Sequence, residues 1–240
     1  LFAKELFTGK VIVAFADTLF RAAFKLDTNQ DGIIWVQRVE GPSHFGVVRV
    51  NENSEITELV EKPSTFVSDL AIIGIYFFKD GAALAREMQY LIDHDIKEKG
   101  EFQFTSALQN LQKKGAKFVP GQVEEWLDCG NKDVTVQTNQ RYLEFIKDQK
   151  LVSTKSTLIN SVIIPPCFVG DGAHIENSVI GPYVSVGQNT RIIDSRIKNS
   201  IIQKESTVQR AMLENSMLGN FIIFEGSTLD LSLGDFNKIS

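Results

Sequence analysis

Cysteine is nearly missing from this chain of 240 residues: there are two, Cys129 and Cys167, beside three histidines and two tryptophans. Two cysteines cannot build a disulfide framework, so a reducing cytoplasm is the default expectation. A basic excess is also missing. The formal net charge of -5 argues against a general nucleic-acid binder, which needs a basic stripe along its contact surface. No stretch approaches the ~18 consecutive apolar residues that a membrane-spanning helix requires. Neither a signal peptide nor an initial methionine is visible, since the chain opens on Leu1. What is present is ordinary for a soluble globular protein, with 43% apolar and 23% charged residues. The length suffices for one large core or two smaller ones.

Up to about Gln149 the chain mixes two periodicities. Strands are expected at 11–16, 33–39, 45–50, 56–61, 71–78 and 116–120, and helices at 81–98, 105–114 and 134–147. Thr105 can serve as an N-cap and Gly115 as a C-terminal stop. The alternation implies an α/β domain over residues 1–150. The opening LFAKELF reads as the tail of a helix with Leu1, Phe2 and Leu6 on one face. The next segment, VIVAFA, is apolar on both faces, as a parallel strand flanked on both sides would be. A fully buried strand seldom opens a domain, so the natural protein is expected to carry a further N-terminal portion. The charged residues between Glu87 and Lys99 read as the solvated face of a helix.

From Thr157 a different rule takes over. A small residue is followed two positions later by a large apolar one: Thr157/Ile159, Ser161/Ile163, Cys167/Val169, Ala173/Ile175, Ser178/Ile180, Val184/Val186 and onward to Ser216/Leu218. An offset of two puts both members on one side of a short strand. A turn about every six residues then gives triangular coils of about eighteen residues, with large side chains filling the prism. Residues 151–240 are therefore expected to form a parallel β-helix of hexapeptide repeats. An antiparallel sandwich would need longer strands with turns at about 8–12-residue spacing.

Three separated islands carry the chemistry. They are VIVAFADTLF with Asp17, LVEKP with Glu61 and Lys62, and EWLDCGN with Trp126 and Asp128. In open α/β sheets ligands sit beyond the carboxyl ends of strands, and both aspartates fall where an apolar run stops. With the intervening FGVVRV and AIIGIYFF segments, these islands resemble the sugar-1-phosphate nucleotidyltransferases. The closest likeness is to the glucose-1-phosphate thymidylyltransferase-like group, in its long form with a C-terminal left-handed β-helix. The resemblance covers nearly the whole chain. It implies a Rossmann-like nucleotidyltransferase domain, here lacking its N-terminal segment, followed by the β-helix. It further implies a reaction in which a sugar 1-phosphate oxygen attacks the α-phosphorus of a nucleoside triphosphate and pyrophosphate leaves.

On the resemblance, Asp17 and Asp128 match the Mg²⁺-binding aspartates, and Lys62 joins them as a catalytic cation. Glu61 and Lys62 match the sugar-site pair: a carboxylate accepts sugar hydroxyls, while an ammonium suits the sugar phosphate. Gly46 matches a glycine whose backbone approaches the sugar. Tyr76, Gly74 and Trp126 are weaker correspondences that plain core packing would also explain. Cys129 stands where many members carry Thr, and Ser106, in GEFQFTSAL, where Asp is common. Asp17 could instead cap a helix before TLFRAAF, and Asp128 could be a turn residue ahead of Gly130. The glycine-rich loop that grips the triphosphate in this family is not found in these 240 residues, so the chain by itself is expected to lack transferase activity.

Two other motifs lead elsewhere. Asp27-Thr-Asn29-Gln-Asp31-Gly32 copies the first half of a calcium-binding EF-hand loop, but its twelfth position is Arg38, a cation where a bidentate Glu belongs. A turn explains these residues better. His174 lies in the repeat region, where related acyltransferases use a histidine as general base; a polar face residue is the simpler reading. A non-catalytic sugar-phosphate-binding or assembly module and a hexapeptide-repeat acyltransferase are thus the rival functions. A homo-oligomer is expected through the β-helix, because Phe221, Ile222, Ile223 and Phe224 cannot all point inward.

Overall fold

In the computed structural model, residues 4–240 are described, apart from 24, 25, 227, 230, 231, 237 and 240. The predicted positions of Leu1 and Phe2 therefore lie outside the described residues, and Leu6 follows in a short 3-10 turn with 77% of its surface exposed, not on a buried face. Compactness divides the chain into two units, Leu1–Leu127 and Asp128–Ser240. The change of sequence period lies later, near 150.

The first unit is built on one sheet. Its strands are β1 (Val11–Ala14), β3 (Gly32–Arg38), β4 (Val47–Val50), β5 (Ile56–Val60), β6 (Leu70–Phe78) and β7 (Phe118–Gln122), while β2 (Thr18–Arg21) and β8 (Glu125–Asp128) pair separately. β6 is the centre. One of its edges carries β3 antiparallel along its length; the other carries β1 against residues 75–78 and β4 against Ala71. Only the β3–β7 pairing is parallel within this sheet. The expectation of parallel strands is therefore corrected: apolar runs report burial on both faces and carry no information about strand direction.

β1 also departs from expectation. Among the described residues it has one strand neighbour, and its burial alternates. Val11 and Val13 pack on the core while Ile12 is 62% exposed, as successive side chains on a strand must point to opposite faces.

Helices α1 (Gly81–Asp93) and α2 (Phe104–Lys113) lie on one face of the sheet. Leu84, Leu91, Leu108 and Leu111 pack there against Ile34, Val36, Val48, Leu59, Phe78 and Phe118. Intervening residues of the same strands, Ile33, Trp35, Ile73, Ile75 and Phe77, form a second cluster with Trp126. Full burial of each such side chain contributes about 1.5–3 kcal/mol. Gly115 closes α2 in the left-handed conformation, as its sequence position suggested. Thr105 does not cap that helix. It lies within α2, whose N-cap is Gln103, and is buried.

The second unit opens with α3 (Lys132–Phe145), capped by Asn131, whose side chain accepts the Asp133 and Val134 amides. A three-faced parallel β-solenoid follows, consistent with the left-handed β-helix the repeat implies, with five or six strands stacked on each face. Thr157, His174, Arg191, Thr207, Ile223 and Lys238 stack in one column, so coils run to 17 residues at first and shorten to 16 and then 15, not eighteen. Every small/large pair from Cys167/Val169 to Ser216/Leu218 is buried. The first pair is one residue out of phase. Leu158, not Ile159, stacks on Ile175, and at this end of the prism it remains 42% exposed.

The small residues do more than fill corners. Ser178 Oγ donates to the Glu176 carbonyl (2.7 Å) and accepts the Ser195 amide of the next coil (3.0 Å). Ser195 Oγ repeats this with the Ile193 carbonyl and the Ala211 amide, and Ser200 with the Lys198 carbonyl and the Ser216 amide. Buried backbone amides at the corners thus find partners where strand pairing stops. At another position the corners take left-handed φ, and Asn160, Asn177 and Asp194 form a side-chain ladder of hydrogen bonds (2.8 and 3.1 Å). Phe221 and Ile223 face outward and Ile222 and Phe224 inward, as the run of four required.

Candidate functional site

The best-defined cluster lies in the first unit, around the turn that ends β5. Glu61 directly follows that strand, and Lys62 adopts a left-handed φ of 42°. A non-glycine residue held there is uncommon, the more so before a proline, and persists only where its surroundings over-determine it. Two contacts do so. The Lys62 amide donates to the Phe45 carbonyl (3.1 Å), and the Lys62 carbonyl accepts from Lys99 Nζ (2.9 Å). Buried Pro63 fixes the chain beyond. The Lys62 side chain is exposed at this turn.

Gly46 is explained by Glu61. A Cβ at Gly46 would lie 2.9 Å from Glu61 Oε2 and 3.3 Å from Ile72, so the missing side chain is the space the carboxylate occupies. Thr105 Oγ1 reaches the same oxygen at 3.4 Å, and Ser106 Oγ donates to Glu98 Oε1 (2.7 Å). Tyr76 is buried among Phe15, Phe78 and Phe104. Burial, and then the Glu61 charge, push its phenol well above the usual range, so it stays protonated and neutral. Trp126 packs edge-to-face on Phe45, with ring centres 5.0 Å apart, and its buried indole Nε1 has no hydrogen-bond partner. Gly74 plays a packing part: at φ 79° it lies under Phe15, whose ring a Cβ would meet at 3.0 Å.

Sequence reasoning missed Thr105 and Lys99 as members of this cluster. The signal available was their position in the KGEFQFTSAL stretch, which periodicity assigns only to a helix start.

The two aspartates sit at strand ends. Asp17 is exposed in the turn between β1 and β2, so it caps no helix. Asp128 is the last residue of β8, the strand that pairs with β2. Its Oδ1 accepts the Gly130 amide (2.9 Å), and its carbonyl accepts from Thr138 Oγ1 (2.6 Å). Among the described residues no group of three or more His, Cys, Asp or Glu side chains could hold a metal ion.

The other motifs resolve simply. Asp27 accepts the Asn29 amide (3.0 Å) and the Gln30 side chain (2.9 Å), which hold its carboxyl below the usual value, Gln30 the more strongly, in a turn leading into β3. His174 is not isolated on its coil, since its Nε2 lies 3.1 Å from Glu176 Oε2. Of the solvated helix face expected over 87–99, Asp93, Asp95, Lys97, Glu98 and Lys99 are exposed, but α1 ends at Asp93, and Glu87 departs from it, only 4% exposed and paired with Lys114. No helix among the described residues is long and apolar enough to cross a membrane.

The sheet, the solenoid and the Glu-Lys turn together define a class. The nucleotidyl transferase family model matches residues 8–144, more than half of the chain, and the chain belongs to this family. It is similar to the glucose-1-phosphate thymidylyltransferase of Streptomyces antibioticus, with 31% identity over 230 residues, covering 86% of this chain and 62% of that protein. It is also similar to the bifunctional protein GlmU of Methanococcus aeolicus, at 30% identity, covering 95% of this chain and 58% of the relative. A low-salt glycan biosynthesis nucleotidyltransferase of Haloferax volcanii is 30% identical over 78% of this chain and 56% of its own length. The chain thus spans about three fifths of the curated relatives it matches.

Proposed function

We propose that the protein transfers a nucleotidyl group from a nucleoside triphosphate to a sugar 1-phosphate, forming a nucleotide sugar and pyrophosphate. The observation that carries this reading is the turn at Lys62, whose backbone is held at positive φ directly after Glu61, the carboxylate that Gly46 makes room for. In the proposed mechanism Glu61 accepts hydrogen bonds from sugar hydroxyls, and Thr105 orients the carboxylate. Lys62 binds the sugar phosphate as a point charge, keeping the attacking oxygen in line with the α-phosphorus. The Trp126 N–H, without a partner in the chain, donates to a sugar or phosphate oxygen. Asp17 and Asp128 are the proposed Mg²⁺ ligands. When bound, the ion neutralises negative charge on the phosphates. A cytoplasmic homo-oligomer assembled through the solenoid completes this reading.

The test is pyrophosphate release by the full-length protein from a panel of nucleoside triphosphates and sugar 1-phosphates, with Mg²⁺, in parallel with calorimetric binding of glucose 1-phosphate to the 240-residue chain. Lys62→Met should lower turnover by about 10²-fold, the range for removing one preorganised electrostatic group. Its binding of glucose 1-phosphate should weaken as well, with the unfolding midpoint unchanged. Sugar-phosphate binding without turnover by the full-length protein under any combination would favour a non-catalytic binding module instead.

A further inference from the structure

Two neighbouring residues of α3, Thr138 and Asn139, face different tasks. Thr138 is buried, with 6% of its surface exposed. A threonine inside a helix ordinarily turns its hydroxyl back to a carbonyl three or four residues earlier. Thr135 does so, donating to the Asn131 carbonyl at 2.7 Å. Thr138 does not. Its Oγ1 reaches back ten residues and donates to the Asp128 carbonyl at 2.6 Å, so the hydroxyl is spent on the residue that ends β8. The Asp128 side chain is held as well, because its Oδ1 accepts the Gly130 amide at 2.9 Å. With the carbonyl and one carboxylate oxygen both fixed, the carboxylate has one direction in which to point.

Asn139 ties the same helix to the solenoid. Its Oδ1 accepts the Ser185 hydroxyl at 2.6 Å, and its Nδ2 donates to the Tyr183 carbonyl at 3.4 Å. The Tyr183 hydroxyl donates to Glu144 Oε2 near the end of α3 (3.3 Å), and Lys132 Nζ, at its start, donates to the Asn215 carbonyl (3.1 Å). The helix is thus fastened at its start, its middle and its end. Ser185 itself belongs to a strand, Val184–Val186, paired on both sides with Cys167–Val169 and Ser200–Ile202. A site supported from such a frame is held more precisely than one carried by a loop.

We infer that Thr138 is a positioning residue for Asp128, and that α3 with the solenoid under it is the mount that aims this carboxylate. The inference rests on the proposed role of Asp128 in nucleotidyl transfer. Thr138 acts only through the Asp128 backbone: its hydroxyl fixes the plane of the carbonyl, and with it the turn that brings the Gly130 amide to the carboxylate. Groups that orient a functional side chain from behind are typically worth about 10–100-fold in activity. Glu61 and Lys62, which take the sugar phosphate in the proposed mechanism, share no hydrogen bond with Thr138. Loss of the Thr138 hydroxyl should therefore slow the chemical step and leave sugar-phosphate binding alone.

The experiment compares Thr138→Val, Thr138→Ser and Asp128→Asn in the full-length protein, by pyrophosphate release with Mg²⁺. Valine keeps the shape and removes the donor; serine keeps the donor. Thr138→Val should lower kcat by about tenfold, with the KM for glucose 1-phosphate within about twofold of native. Thr138→Ser should keep kcat near native. In the 240-residue chain, solvent exchange of the Gly130 amide, followed by NMR, reads the same geometry without substrate or metal. It should quicken about threefold to tenfold in Thr138→Val, as when one hydrogen bond is loosened. In Thr138→Ser it should stay native, and the α3 amides should be unchanged in both variants. A kcat unaffected by Thr138→Val, an equal loss in Thr138→Ser, or a native Gly130 exchange rate in Thr138→Val would each overturn the inference. Should Thr138→Val fail to fold, Thr138→Ala takes its place under the same readouts. Asp128→Asn keeps two failures apart. Full turnover by that variant would remove Asp128 from the reaction, and the positioning role with it. Its inactivity beside an unaffected Thr138→Val would leave the proposed function standing and overturn the positioning role alone.

Discussion

The two units treat buried polar groups in opposite ways. In the solenoid Ser178, Ser195, Ser200 and Ser206 are buried, and each hydroxyl both donates to a carbonyl and accepts an amide of the next coil. In the α/β unit Glu87 Oε2 and Trp126 Nε1 are buried without partners. The solenoid has one such orphan among the described residues, Asn199 Oδ1. A repeat solves its polar problem once and copies the answer from coil to coil.

The sharpest way to break this comparison is to damage the solenoid where it is most completely filled. Ile192 is wholly buried and stacks between Ile175 and Val208. Ile192→Ala should cost about 2–5 kcal/mol, because neighbouring coils can close only part of the cavity. Chemical denaturation reads this directly, and a loss under about 1 kcal/mol would mean that the prism is loosely packed.

The hydroxyl ladder should matter next. Ser195→Ala removes the acceptor of the Ala211 amide, leaving a buried N–H unmatched, and should destabilise by about 1–3 kcal/mol. Denaturation of the same kind checks it. If Ser195→Ala is neutral, serine at these corners is a matter of size alone.

Much of this was legible in the sequence, and the failures have physical causes. The small/large alternation located the solenoid strands because inward-facing positions tolerate only residues that fit the prism. In the first coil, Ser156/Leu158 and Thr157/Ile159 satisfy the rule equally well, and only stacking under His174 and Ile175 separates them. Coil length depends on how tightly each corner turns, which composition does not report. In the first unit, β6 and β3 were found from their apolar runs, but not their antiparallel pairing. The four-residue strands β2 and β8 are too short for a period to show. Glu61, Lys62 and Gly46 were found as a motif; that Gly46 makes room for the Glu61 carboxylate emerged only from their packing.

That last point gives a milder test on the other side of the comparison. Gly46→Ala brings a methyl to 2.9 Å from Glu61 Oε2, and the carboxylate must move. Affinity for a sugar 1-phosphate should fall about tenfold, which corresponds to about 1.4 kcal/mol. The unfolding midpoint should barely change, since Gly46 does not need a positive φ. Gly74→Ala is the contrast: at φ 79° and against the Phe15 ring, it should lower stability. A Gly46→Ala protein that binds as before would separate Glu61 from the sugar site.

The smallest effect should come from the solenoid surface, at the ion pair of Lys155 and Asp171 (2.8 Å). The Lys155 ammonium, and then the Ser153 hydroxyl, hold the Asp171 carboxyl below its ordinary value of 3.8. A carboxyl with a lowered folded pKa contributes stability that is fully present above the unfolded value and is lost as pH falls through the folded one. The contribution of this pair should therefore be intact above about pH 4 and fade in more acid solution. Because the pair is exposed, solvent and salt screen it, and its contribution should be small. Unfolding midpoints of the native chain and of Asp171→Asn, measured from pH 7 down to pH 2, give the check. The two curves should lie slightly apart at neutral pH and meet at the acid end, where the native carboxyl is protonated and resembles the amide. A gap that survives at pH 2 would assign the difference to packing rather than to charge.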